Sequence, residues 1–155
     1  MTRFDLSQLT DAKWTFSTRR VDRAVVAAGD TAFDQARPGD LILAHVAELG
    51  QHKRVQLTSG RPSFIYPGDA VVLACGARYA PDQFEGIAEI DANGADLLAG
   101  GGCIGRMVAR NSRVRAATRL IPAARLLDEF GLGLDSLIKT VDYVTLAALA
   151  LRLTV

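Results

Sequence analysis

Two short stretches hold most of the side chains able to do chemistry: GQHKR, Gly50 to Arg54, and GARYAPDQFEG, Gly76 to Gly86. An imidazole titrates near neutrality, so His52 is a candidate acid or base. Tyr79 and Asp82 add a phenol and a carboxylate as candidate catalytic partners. Arg54 and Arg78 carry planar guanidinium forks that hold carboxylate or phosphate through paired hydrogen bonds, and the Gln83 amide can orient a bound group. Neither a Ser-His-Asp order nor a carboxylate pair is readable from the spacing. These residue types point to binding of a small anion, with acid/base turnover of a carboxylate- or phosphate-bearing substrate as the alternative. His45, between Ala44 and Val46, reads as a core or cross-strand histidine.

A third stretch is basic. Arg106, Arg110, Arg113, Arg115, Arg119 and Arg125 fall within twenty residues, and no Asp or Glu occurs from Leu97 to Leu127. Either their counter-charges come from elsewhere in the fold, or the run forms a positive patch with Arg106 and Arg110 as ligand-binding residues. No aromatic residue lies between Cys103 and Glu129, so the stacking half of a single-strand surface is missing from the run and nucleic acid is not the partner expected for it. Just ahead of it, Gly100 to Gly105 reads GGGCIG and matches G-x-G-x-x-G. A dinucleotide site also needs an acid about 20 residues further on and βαβ alternation. Both are lacking, so the glycines are expected to form a bend, and no cofactor is expected. Cys75 and Cys103 have no C-x-x-C spacing and read as free, buried thiols, with no metal site expected.

The scaffold that must position these residues is announced by a repeat. Pro38-Gly39-Asp40 precedes LILAHV, and Pro67-Gly68-Asp69 precedes AVVLAC, 29 positions later. Pro fixes φ, Gly accepts φ > 0 and Asp bonds nearby backbone, which makes each a turn that delivers a strand. Both aliphatic runs are continuous, as in strands buried on both faces. Between them, Arg54 to Thr58 and Ser63 to Tyr66 read as a hairpin, while Trp14 to Phe16 and Ala24 to Ala28 are further candidate strands. Leu134, Leu137, Ile138, Val141, Val144, Ala148 and Leu151 follow helical spacing, which predicts a C-terminal helix over about 134–152.

The expected fold is therefore mainly β (α+β): one domain over 1–155, with a small β-barrel or sandwich core over about 20–130 and the C-terminal helix. At 155 residues and 49% hydrophobic content the chain can bury a core without disulfide or metal. A net charge of +1 gives no whole-molecule attraction to nucleic acid or membrane. Met1 to Gln8 has no apolar signal region, and the longest apolar run, Val144 to Leu151, is too short to span a bilayer. A cytoplasmic protein is expected.

The blocks PGDLILAHVAELGQHKRVQL, YPGDAVVLACGARYAPDQFEG, LLAGGGCIGRMV and AATRL resemble the N-terminal barrel-like domain of uncharacterised bacterial proteins that continue into a P-loop nucleotide-binding domain. The resemblance covers residues 37–130, and RYAPDQFE is its most specific piece; it implies a barrel-like fold and a bacterial setting but no catalytic role for any residue. The sequence contains no G-x-x-x-x-G-K-[ST]. The leading expectation is a stand-alone β-barrel module that binds a small anionic molecule or a partner protein in bacterial metabolism or biosynthesis. The alternative is a small enzyme with acid/base residues from the GQHKR and RYAPDQFE loops. Leu146, Leu149, Leu151 and Leu153 offer an apolar face for a homodimer.

Overall fold

The computed structural model describes residues 5–136, and these are mainly β. The two Pro-Gly-Asp turns behave as their chemistry dictates: Gly39 and Gly68 take φ of 96° and 94°, where a side chain would be strained. From the first turn runs β3 (Leu41–Glu48) and from the second β6 (Ala70–Cys75). They pair antiparallel, with Leu43 opposite Val72 at the centre. Those two residues occupy the same place in the repeat, so a local two-fold passes between them. The turns obey it: Gly39 N–H donates to the Cys75 carbonyl at 2.8 Å, and Gly68 N–H donates to the Val46 carbonyl at 2.7 Å.

The other strands are β1 (Lys13–Trp14), β2 (Ala28–Asp30), β4 (Arg54–Gln56), β5 (Pro62–Phe64), β7 (Arg78–Tyr79), β8 (Phe84–Ile87), β9 (Ala95–Ala99), β10 (Cys103–Arg110) and β11 (Arg119–Leu127). Pairing runs from β6 through β3, β11 and β9 to β10. The start of β10 then returns to β6 in parallel through two residue pairs, Cys103 with Ala74 and Ile104 with Cys75. The result is a curled sheet with a short seam. Strand β1 shares the seam edge of β6, β2 pairs with the end of β11, and β8 and β7 extend outward from β10. Strands β4 and β5 form a separate hairpin, Arg54 opposite Phe64.

Side chains alternate across a strand, and here both faces are covered. Ile42, Ala44 and Val46 of β3 join Val71, Leu73 and Cys75 of β6 in one core cluster, together with Leu97, Ile104 and Leu120. Leu41, Leu43 and Val72 point the other way, into a second cluster under Trp14, Val26 and Leu126. That two-sided burial is why the runs read as unbroken aliphatics.

Three expectations differ. Ala24 to Ala28 is not a strand: Asp22 accepts from Ala24 N–H at 2.9 Å and caps a 3₁₀ turn over Arg23–Val25, leaving only Ala28 to enter β2. Phe16 likewise opens a 3₁₀ turn, so the first strand stops at Trp14. Of the predicted C-terminal helix, Leu134 to Ser136 are described and are not helical; Asp135 bridges antiparallel to Asp40. The remainder, with Leu146 to Leu153 and the dimer face, lies outside the described residues. Among the described residues no helix is long and apolar enough to cross a membrane.

Candidate functional site

The GQHKR and RYAPDQFE segments meet through alternating β side chains. Register in β7 and β8 places Arg78 opposite Gly86 and Tyr79 opposite Glu85. Arg78 and Tyr79 therefore leave opposite faces, as do Phe84 and Glu85. Arg78 turns inward, its Nη1 donating to the Leu98 carbonyl, and Phe84 is fully buried. The His52 ring packs on Phe84 at a centroid distance of 5.8 Å, tilted by 52°. Its backbone is anchored by the Thr118 hydroxyl, which donates to the His52 carbonyl at 2.6 Å.

Electrostatics tie three groups together here. Burial lowers the pKa of His52, and the positive charge of Arg78 lowers it further. Burial pushes the Cys103 thiol up to about 11, with Arg78 pulling the other way. Cys75 is pushed up to about 12 by burial, then by the charge of Asp40 and by Cys103. At neutral pH the imidazole is uncharged and both thiols are protonated, so neither cysteine is a nucleophile. Among the described residues two buried side-chain atoms have no hydrogen-bond partner, Nδ1 of His52 and Oε1 of Gln83. Buried polar atoms are seldom left unpaired, and these two belong to one residue from each segment.

The other sequence candidates are placed apart. Tyr79 is 76% exposed, and Asp82 is exposed in the turn before β8. The Arg54 guanidinium leaves the hairpin over the Phe64 ring, 5.8 Å from its centroid. Arg106 is engaged by Glu89 at 2.9 Å beside a cavity of about 620 Å³ lined by Asp34, Asp91, Phe33 and Ile90, where carboxylates outnumber the one guanidinium. Arg110 donates to the Val114 carbonyl at 2.9 Å. Among the described residues three of the six arginines of the run find counter-charges elsewhere: besides Arg106, Arg119 pairs with Asp96 at 2.6 Å, and Arg125 grips Asp30 with two bonds at 3.0 and 2.7 Å. A second cavity, about 770 Å³, opens beside Arg125, Asp40 and Asp135.

The glycine run is a bend joining β9 to β10. Its carbonyls are taken by the fold: Gly100 accepts from Gln56 N–H, Gly101 from Ser17 N–H and Gly102 from Ala74 N–H. Gly102 has φ 105°, and a Cβ there would collide with the Thr15 hydroxyl. No cluster of three metal-ligating side chains occurs among the described residues.

Sequence reasoning missed Phe84 and Cys103 as neighbours of His52 and Arg78. The alternation Phe-Glu-Gly-Ile in β8 carried the signal for Phe84; the approach of Cys103 depends on the β6–β10 seam and left none. No family model, curated protein or solved structure matches this chain.

Proposed function

We propose that this is a non-catalytic binding module, built on a curled, barrel-like sheet, that takes a small molecule bearing a carboxylate or phosphate beside His52 and Arg78. One observation carries the reading: the buried, unpartnered Nδ1 of His52 and Oε1 of Gln83 belong to the two segments that meet around Phe84, under the charge of Arg78. A guanidinium supplies the counter-charge, and the two unpaired atoms suit polar groups on the same ligand. Turnover is disfavoured because no carboxylate hydrogen-bonds His52 among the described residues, Tyr79 and Asp82 lie on the exposed side, and the thiols are protonated. The likeness to a bacterial barrel-like domain fits this role.

The test is an NMR titration of the His52 ring with inorganic phosphate and a panel of small carboxylates. A bound anion offsets the charge of Arg78, so the His52 midpoint should rise toward its ordinary value and Arg78→Ala should abolish the response. A ring that ignores every anion in the panel would overturn the proposal.

A further inference from the structure

The stacking residues absent from the arginine run are supplied by another strand. At the end of β5, Phe64 and Tyr66 are 58% and 59% exposed, while Ile65 between them is buried at 1%. Residues i and i+2 of an extended chain share a face and stand about 6.6 Å apart. Two rings are thus offered side by side to solvent. A cation accompanies each: the Arg54 guanidinium lies 5.8 Å from the Phe64 centroid and the Lys13 ammonium 6.0 Å from that of Tyr66.

The basic run reaches this strip through backbone links. Ile65 N–H donates to the Lys53 carbonyl at 3.1 Å, while two residues earlier Gln51 binds the far loop, its Oε1 accepting from Arg115 N–H at 2.9 Å and its N–H donating to the Ala116 carbonyl at 2.8 Å. Arg115, Lys53 and Arg54 are all exposed, and none forms an ion pair among the described residues. Asp69 is engaged at the Lys13 end, at 3.3 Å. Other paired acids are Asp30 and Asp40 with Arg125, Asp96 with Arg119 and Glu89 with Arg106.

We infer that the strip formed by Phe64, Tyr66 and Arg54, with the exposed Lys53 and Arg115 along the adjoining backbone, binds single-stranded nucleic acid, the bases stacking on the two rings and the phosphates tracking the cations. Aromatic platforms flanked by a cationic track are what a single strand needs, and base stacking tolerates any sequence. A duplex keeps its bases stacked internally and gives the rings nothing to hold. This surface is separate from the His52–Arg78 site and stands or falls independently of it.

Fluorescence anisotropy of labelled oligo-dT, oligo-U and a duplex of matched length, measured with the full chain over a series of salt concentrations, tests the inference. The single strands should bind more tightly than the duplex, weakening as salt rises; the two strands tell whether DNA or RNA is preferred. Phe64→Ala and Tyr66→Ala should each weaken binding on the order of tenfold, and Arg54→Ala and Arg115→Ala should each reduce the salt dependence. Both rings are exposed, so unchanged circular dichroism and thermal unfolding would show that the variants remain folded. Absence of single-strand binding at low salt, equal affinity for duplex, or affinity unchanged in the two ring variants would each overturn it. Phosphate titration of His52 should be the same in the ring variants as in the parent chain.

Discussion

The carboxylates of Asp40 and Asp69 close equivalent turns at the two ends of the β3–β6 pair. Oδ2 of Asp40 accepts from Arg37 N–H and Oδ2 of Asp69 from Tyr66 N–H, both at 2.9 Å, each three residues upstream. Their surroundings differ. Asp40 is 8% exposed and lies 3.9 Å from the Arg125 guanidinium, whereas Asp69 meets Lys13 nearer the surface. Removing the buried acceptor also strands Arg125 with one partner fewer, so Asp40→Ala should cost about 1–3 kcal/mol and Asp69→Ala about 0.5–1.5 kcal/mol. Urea unfolding of the two variants checks the order.

Gly68 and Gly102 separate backbone strain from collision. Both have positive φ, but a Cβ on Gly68 meets nothing within 4 Å, while one on Gly102 runs into Thr15. Gly68→Ala should lose about 1–2 kcal/mol through conformation alone. Gly102→Ala should lose more and shift the resonances of Thr15 and Ser17, whose hydroxyl donates to the Gly102 carbonyl.

Acidification should weaken the fold through His52. Its pKa in the folded chain is below the ordinary value, first because it is buried and then because of Arg78. The unfolded chain, with its histidine near 6.5, therefore takes up the proton first as pH falls. The contribution is fully present above about 6.5 and is lost as pH drops from there through the folded value. Unfolding midpoints measured from about pH 8 to pH 5 should decline more steeply in the parent than in His52→Asn. In Arg78→Ala the NMR midpoint of His52 should move up.

Both thiols should be unreactive in the folded state. With Cys75 pushed up to about 12 and Cys103 to about 11, thiolate is scarce at neutral pH. Iodoacetamide should label neither until denaturant is added, and Arg78→Ala should leave Cys103 slower still, since Arg78 favours its thiolate. Rapid labelling of Cys103 in the native protein would contradict this.

Legibility in the sequence followed the range of the interactions. Pro-Gly-Asp turns are local chemistry, so Gly39 and Gly68 and the strands after them could be read directly. Ala24 to Ala28 is apolar enough for a strand, yet one carboxylate, that of Asp22, diverts it into a 3₁₀ turn. Strand β11 was the hardest: its run RLIPAARLL contains Pro122, next to a register shift against β3, and its arginines find their acids in β2 and β9. At the site, His52 and Arg78 could be named from residue type. Their separation from Tyr79 and Asp82 required knowing which face of β7 each side chain leaves.

The order in which the strands emerge during synthesis has a kinetic consequence. Strand β11 lies between β3 and β9, pairing His45 with Ile121 across most of the described chain. Until residues 119–127 are made, the β11-facing edge of β3 stays open, with Ile42, Leu43 and Ala44 among its most apolar residues. Such non-local pairing places folding in the roughly millisecond-to-second range of β-rich domains. It leaves a nascent chain whose first long apolar strand has an unpaired edge, so dilute refolding should succeed where concentrated refolding precipitates.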